Sequence, residues 1–372
     1  MMVPASALPA GCEPICHGCR HRRLTAADSI AQKRAYLERA LGPWSGRIAP
    51  VDAPAVSERL GYRDRVTLTA RWSGEQGWRF GLMRRDELIA IHDCPVHTSR
   101  VRALVHMLVE CLPTGDELPL AYLHVAGAQA TLIVKAHRVD HELLMPVASV
   151  VTGIGIDGLW LHCHPAAGRR LFARSGWQLL QGRAESRDSR GFLHGPTAFM
   201  QAMPGLHARA MHDAATHVAP GPGVAVLDLY CGLGATLRTW TEAGSVALGV
   251  ELSGEAVSFA AKNAPLAKVL RGTCAQRLPQ VREWWSSADV GGGGERVAYV
   301  NPPRSGLEGE VVVALAEELR PDRVAYLSCS AGTLARDLAA FEAAGYDVAE
   351  IRPYDFFPNT HHVETLALLV LR

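Results

Sequence analysis

The stretch "VLDLYCGLGATL", residues 226–237, decides how the rest of the chain is read. It passes from an apolar strand through a tight glycine turn into the start of a helix. At Gly232 and Gly234 the missing side chain lets backbone approach a ligand closely. The next strand-like segment, "LGVE", ends on Glu251, and a carboxylate at that point accepts both hydroxyls of an adenosine ribose. Asp228 precedes the glycines. The order Asp-x-Tyr-x-Gly-x-Gly, through Tyr230, followed by a strand-end Glu is more typical of methyltransferases than of dinucleotide dehydrogenases, whose glycines are spaced G-x-G-x-x-G. The plain alternative is a glycine turn beside a solvated carboxylate.

Outward from that stretch, strand-like "VAVLDLY", "VALGVEL", "RVAYVNPP" and "RVAYLSCS" alternate with helix-like "ATLRTWTEAG", "SGEAVSFAAKNA", "EGEVVVALAEELRP" and "AGTLARDLAAFEAAGY", before the closing strand "VETLALLVLR". Ser253 is placed to cap the second of these helices. The alternation predicts an α/β domain of Rossmann-like type with a mostly parallel sheet. Gly291 to Gly294 read as a surface loop. Upstream, "RVTLTARW", "WRFGLM", "TLIVKAH" and "GLWLHCH" are shorter pieces broken by glycine and charge, which predicts an α+β domain. The Arg-, Ser- and Gly-rich "QGRAESRDSRGFLHGP", residues 181–196, is the predicted join, giving domains 1–190 and 191–372.

With 372 residues, 48% of them apolar, the chain can bury the cores of two domains. Its apolar runs, such as "LALLVL", are too short to cross a bilayer. "LPAGC" resembles a lipoprotein cleavage box, but Pro9 stands where an aliphatic residue belongs and no basic leader precedes it. A cytoplasmic, reducing location is expected. Nine cysteines, including Cys12, Cys16 and Cys19, suit metal binding or catalysis better than a disulfide framework. Residues 1–195 carry 24 Lys+Arg against 18 Asp+Glu, and residues 196–372 carry 14 against 19. The basic first half is a candidate for phosphate contact, a solvated surface being the plain alternative.

Three stretches lie just past strand ends, where open α/β sheets bind ligands: "VNPPRSG", "LSCSAGTLARDL" and "FPNTHHVETLALLV". Cys329 ends a strand before a helix that starts at Ala331-Gly332-Thr333, a setting of amides and positive helix end that favours a thiolate. It is a candidate nucleophile, although a lone cysteine in an apolar strand is more often core. Glu364 stands in an apolar strand, where an unpaired carboxylate is costly and so has a partner or a role. At the N-terminus "CEPICHGC" spaces Cys12, Cys16 and Cys19 as C-x3-C-x2-C, the pattern of radical enzymes that bind S-adenosylmethionine on an open iron.

"CGLG", "NPPRSG", "SCSAGTLARDL", "DFFPNTHHVE" and the upstream "GPTAFMQAMP" together resemble the RNA 5-methyluridine (uracil-C5) methyltransferases, the RumA/TrmA type acting on rRNA and tRNA. The resemblance covers most of the chain. Within the family the chain is most similar to the 23S rRNA branch of RlmC (RumB) type: its first cysteine is near the start, Asn301 replaces Asp in "NPPR", and no separate RNA-binding barrel is expected before the cysteines. It departs from the family at Met203, where Asn is frequent, and at Ser330-Ala331, where Asn-Pro or Asn-Ala is common.

The resemblance implies that S-adenosylmethionine is held by Asp228, Tyr230, Gly232, Gly234 and Glu251, with Gln201 and Asn301. It implies that Arg304 and Asn301 hold the uracil, that Cys329 adds to its carbon 6, and that Glu364 takes the carbon-5 proton. It further implies a 4Fe-4S iron–sulfur cluster on Cys12, Cys16, Cys19 and the Cys94 of "IHDCPVH". A fourth thiolate closes the open iron, Gly18 stands where radical enzymes have an aromatic residue, and no strand precedes Cys12, so the radical reading is set aside. Zinc on the same thiols stays open. Cys111, Cys163, Cys231 and Cys274 are read as structural. The expected partner is RNA, 23S rRNA ahead of tRNA, with no membrane and a monomeric protein. Two other readings stay open. An amino-group base methyltransferase is the first, but it wants an aromatic residue where this chain has Arg304. A non-catalytic iron–sulfur RNA-binding protein is the second, and it has no use for both Cys329 and Glu364.

Overall fold

The computed structural model describes residues 7–288 and 294–372, so all but the last residue of the predicted 291–294 loop lies outside the described residues. Two units divide the chain: Met1–Thr25 with Ala55–Ala202, and Ala26–Pro54 with Met203–Arg372.

In the first unit, strands β1 (Arg65–Ser73), β2 (Gly77–Arg84) and β3 (Glu87–Ala90) precede helix α2 (Ser99–Cys111). Then come β4 (Leu120–Ala126), β5 (Gln129–Val134), the short α3 (Met145–Val150), β6 (Gly158–Cys163) and β7 (Trp177–Gly182). They form a seven-stranded sheet in the order β3-β2-β1-β4-β5-β6-β7, antiparallel except for the β5–β6 pair. Strand β1 buries alternate residues, Val66, Leu68 and Ala70, as period-two side-chain geometry requires. That face packs with Val101, Leu104, Val105 and Leu108 of α2. On the other face, Thr67, His124, Thr131 and Trp160 stand in one row across four strands.

The second unit contains α1 (Ala26–Ala40), α4 (Pro204–Val218) and then an alternating series. Its members are β10 (Val224–Leu229), α5 (Ala235–Glu242), β11 (Val246–Glu251), α6 (Gly254–Asn263), β12 (Lys268–Arg271), α7 (Cys274–Ser287), β13 (Glu295–Val300), α8 (Gly309–Val313), β14 (Arg323–Ser328), α9 (Ala331–Ala343), β15 (Tyr346–Tyr354) and β16 (Glu364–Leu371). The sheet order is β12-β11-β10-β13-β14-β16-β15. Strands β10 to β14 are parallel, and β16 enters antiparallel between β14 and β15. All six residues of β10 are buried, the mark of a central strand covered on both faces. The strand order reverses at β10, which puts the ligand crevice over the carboxyl ends of β10 and β13. Ser253 caps α6 through Ala256 N–H at 3.3 Å, as predicted.

The division differs from a boundary near residue 190 in two respects. Residues 181–196 are the end of β7 and the short antiparallel pair β8 (Ser186–Arg187) and β9 (Leu193–His194), inside the first unit. Residues 26–54 pack with the second unit, because α1 presents Ser29, Lys33 and Leu37 on one buried stripe. Leu37, Leu41, Trp44 and Ile48 join the core of that unit. The chain then runs along the free edge of β15: Ala49 N–H donates to Ile351 O, Asp52 N–H to Pro353 O, and Asp355 N–H back to Asp52 O, each at 2.8 Å. An otherwise open sheet edge is thereby covered. The predicted helix "EGEVVVALAEELRP" is α8 followed by a π-turn over Ala314–Leu319. Among the described residues, no helix is long and apolar enough to cross a membrane.

Candidate active site

Past β10 the chain turns sharply. Tyr230 adopts φ 62° and Gly232 φ 54°, and left-handed backbone is costly for a bulky residue such as tyrosine. Tyr230 reaches Glu308 at 3.5 Å, and the same Glu308 carboxylate accepts Ala275 N–H at 3.0 Å in the first turn of α7. The two glycines are used differently. A Cβ on Gly232 would point into open space, whereas one on Gly234 would come within 2.9 Å of Ala260 in α6. Gly232 therefore leaves a cradle for a ligand, and Gly234 lets α5 and α6 pack.

Glu251 faces this turn. Its carboxylate accepts Gly232 N–H at 3.1 Å and Ser253 N–H at 2.7 Å, one bond on each oxygen, so each oxygen keeps an acceptor site for a ribose hydroxyl. Asp228 is fully buried and takes Trp240 Nε1–H on Oδ2 at 2.8 Å, while Oδ1 has no partner. Burial pushes its carboxyl up to about 7. An orphaned buried acceptor, an open cradle at Gly232 and a half-used carboxylate at Glu251 fit an adenosine-bearing cation such as S-adenosylmethionine. Asn301 hangs just beyond β13, its N–H on Leu229 O at 3.2 Å. Gln201 belongs to the first unit, with Oε1 buried and unpartnered. Met203 is the buried N-cap of α4.

The chemical end is set by register. Ser328 of β14 pairs with Thr365 of β16, so the residues one step further on, Cys329 and Glu364, face each other. Glu364 is 5% exposed and its carboxyl is pushed up to about 7 by burial, with Arg304 working against the shift. The Cys329 thiol is raised above its ordinary value, first by burial and then by the Glu364 charge, with Arg304 and the cysteine's own amide opposing. Desolvation and the carboxylate opposite work against the thiolate that the helix start was expected to favour. Arg304 lies within reach of both groups.

Sequence reading passed over the residue that holds the Arg304 loop. Asp337 of α9 is 1% exposed; it accepts Leu307 N–H at 3.0 Å, Tyr326 O–H at 2.7 Å and Arg336 Nε–H at 2.8 Å. At Gly306, φ 77°, a Cβ would lie 2.8 Å from that carboxylate. The available signal was an acidic residue inside the apolar stripe Leu334, Leu338 and Phe341. Lys33 was missed too: it is 1% exposed, ion-paired with Asp355, and donates to Phe357 O at 3.1 Å.

In the first unit the four N-terminal thiols gather. Cys12 feels Cys16, Cys19 feels Cys94, Cys16 and Cys12, and Cys94 feels Cys16 and Cys12, each raising its neighbour. Burial is the larger cause for all three, and it pushes Cys19 up to about 11. Gly11, at φ 76°, makes the approach: a Cβ there would lie 2.3 Å from the Asp93 carbonyl. Even so, among the described residues no three His, Cys, Asp or Glu side chains are arranged to hold a metal ion.

Residues 194–372 match the sequence pattern of the tRNA (Uracil-5-)-methyltransferase family. An RNA methyltransferase of Clostridium tetani with no assigned target is 33% identical across 95% of this chain and 80% of its own length. The chain belongs to the RNA uracil-C5 methyltransferase family. A 23S rRNA (uracil(1939)-C(5))-methyltransferase RlmD of Vibrio cholerae is 28% identical over the same shares of the two chains. That ribosomal relative is of RlmD type, whereas the motifs resemble RlmC (RumB). The fold of the family extends to the tRNA (uracil-54, C5)-methyltransferase of Pyrococcus abyssi, crystallised with S-adenosyl-L-homocysteine, at a TM-score of 0.72, 21% identity, and coverage of 96% of this chain and 87% of that one. As a member of the family the protein is a methyltransferase that uses S-adenosylmethionine.

Proposed function

We propose that the protein methylates carbon 5 of one uridine in 23S rRNA, in the cytoplasm, through a covalent adduct on Cys329 with Glu364 as the base. The observation that carries the reading is the register of β14 and β16, which sets a thiol opposite a buried carboxylate with Arg304 beside both. Carbon 5 of uracil is too weak a nucleophile to take a methyl group unaided. Once Cys329 loses its proton to solvent, its sulfur adds to carbon 6, the carbon 5–carbon 6 double bond opens, and the electron pair moves to carbon 5. Arg304 stabilises the thiolate before addition. S-adenosylmethionine, cradled at Gly232 and Glu251, supplies the methyl group. Glu364 then removes the carbon-5 proton, the double bond re-forms and the thiolate leaves. A carboxyl near 7 is well matched to that task at neutral pH.

The cofactor roles of Gln201, Asp228, Tyr230, Gly234 and Asn301, and a base-edge contact by Asn301, belong to the same reading, as do a metal and RNA role for the first unit and a catalytic role for the second. Four thiols are a donor set that suits a 4Fe-4S cluster, and Cys12, Cys16, Cys19 and Cys94 would hold it. Such a cluster would tie the N-terminal segment to the strands, and no step of methyl transfer passes through it.

Nucleoside mapping of rRNA and tRNA from a deletion strain tests the target; loss of 5-methyluridine from tRNA in place of rRNA moves the assignment. Cys329→Ala should abolish methyl transfer while S-adenosylmethionine still binds. Glu364→Gln should accumulate a protein–RNA adduct on denaturing gels, and absence of the adduct with near-normal turnover removes Glu364 from the mechanism. Anaerobically purified protein should contain iron, which Cys94→Ser loses; stoichiometric zinc without iron would replace the cluster and keep the ligands.

A further inference from the structure

Strands β5 and β6 run parallel and end together, Val134 paired with Cys163. Beyond them the chain makes a lip from residues 135–138 and 164–177. The second part is tied to the strand ends: His164 N–H donates to Val134 O at 2.9 Å, His164 Nε2 bonds Arg170 O at 3.1 Å, and Cys163 N–H donates to Gly176 O at 2.7 Å. The backbone of Val139 lies against the Cys163 thiol.

Five cations are exposed on this lip: Lys135, Arg138, Arg169, Arg170 and Arg174. Among the described residues none of their side chains enters an ion pair, a hydrogen bond or a ring contact. Some arginines elsewhere are paired, as Arg282 with Glu318 and Arg209 with Asp52, and others such as Arg84 and Arg85 are exposed as these are; the lip differs in carrying five cations and no Asp or Glu. A run of exposed cations without counter-ions favours a polyanion.

Beside the cations stands an aromatic stack. His162 and Trp177 lie with centroids 4.0 Å apart and planes 25° apart, and Phe172 sits 5.6 Å from Trp177. Trp177 is held in place by its Nε1–H on Ala173 O at 2.8 Å. His162 is fully buried, yet Phe172 and Trp177 keep part of their surface open. Basic side chains interleaved with part-open aromatic rings are what unpaired nucleotides bind to, since phosphates meet the cations and exposed bases stack on the rings. A duplex offers the phosphates but keeps its bases stacked inside.

We infer that this lip, residues 135–138 and 164–177, binds an unpaired segment of the RNA substrate. The inference rests on the proposed RNA methylation for its choice of polyanion, and it assigns the grip to a particular surface. The full-length protein is titrated with fluorescein-labelled oligouridine and with a blunt RNA duplex of equal length, over a range of salt. Replacing Arg169, Arg170 and Arg174 together by Gln should weaken oligouridine binding and lower the log–log salt slope by about two, at roughly 0.7 per single-strand phosphate contact. Phe172→Leu should weaken oligouridine binding at least about fivefold with the slope unchanged, and leave duplex binding as it was. Trp177→Leu repeats that arm at the neighbouring ring, and thermal melting and S-adenosylmethionine affinity should match wild type in every variant. A triple variant with the wild-type slope overturns the inference, as does wild-type affinity in both aromatic variants. The two readings fail separately. A wild-type enzyme that methylates carbon 5 while the triple variant keeps its slope and KM removes the lip alone. Slope loss in the triple variant, with no uridine methylated by wild type, removes the function alone.

Discussion

The proposed mechanism needs Cys329 and Glu364 both ionised, and the Glu364 charge raises the cost of ionising the thiol. With Glu364 near 7, its charged, basic form grows as pH rises through neutrality, and turnover should rise with it. The thiol, raised by burial and by that same carboxylate, follows at higher pH. Alkylation of Cys329 by iodoacetamide reads it directly. Glu364→Gln removes the opposing charge and should move the half-reaction point to lower pH, and Arg304→Met should move it higher. Unshifted profiles would mean that the two groups do not face each other. The residues of this pair were legible from their motifs, and their mutual effect was not. It depends on β16 entering antiparallel beside β14, which no local pattern announces, so the reading of a thiolate favoured by the helix start left out the group that opposes it.

Among elements, β10, β11, β13, β14 and β16 were readable because apolar runs mark strands buried on both faces, whereas β12 and β15 were not, since Lys268–Arg271 is short and has no buried residue and Tyr346–Tyr354 is broken by charges. Helix α1 was not assigned to its unit, since a stripe of Ser29, Lys33 and Leu37 looks like a solvated face until its partner is known, and Asp355 lies 322 residues away. Removing the lysine from a buried carboxylate is costly. Lys33→Met should destabilise the fold by about 3–5 kcal/mol in urea denaturation, and Lys33→Met with Asp355→Leu should recover most of it. Asp337 offers a second test at this scale, because one carboxylate ties α9 to the loop that carries Arg304. Asp337→Ala should lower kcat much more than it weakens S-adenosylmethionine binding. Equal losses would show that the tie serves stability only.

For the whole molecule, Asp228 and Glu364, two buried carboxyls raised by burial, give stability an uncommon dependence on pH. Asp228 is raised from 3.8 to about 7 and Glu364 from 4.5 to about 7. Between about 4 and 7 the folded protein keeps protons that the unfolded chain has lost, so the contribution of each group falls as pH rises across that window, by up to about 1.4 kcal/mol for each pH interval of one. Melting temperatures at about pH 5 and about pH 8 should show a smaller fall in Asp228→Asn than in wild type, and an equal fall would place the charge on Asp228 at both.

The chain leaves the first unit after Thr25, contributes α1 and the β15 edge to the second, and returns at Ala55. On a ribosome that order becomes a delay. Lys33 emerges 322 residues ahead of Asp355, and at ~5–20 residues per second it waits roughly 15–65 s for its counter-ion. Through that interval the rest of the first unit, Ala55–Ala202, is synthesised, while a helix destined for the other core waits for the strands it packs on. A protein begun at Met203 is born without this helix and should emerge with no Lys33 beside Asp355 and the outer edge of β15 bare, a nascent chain for chaperones to hold.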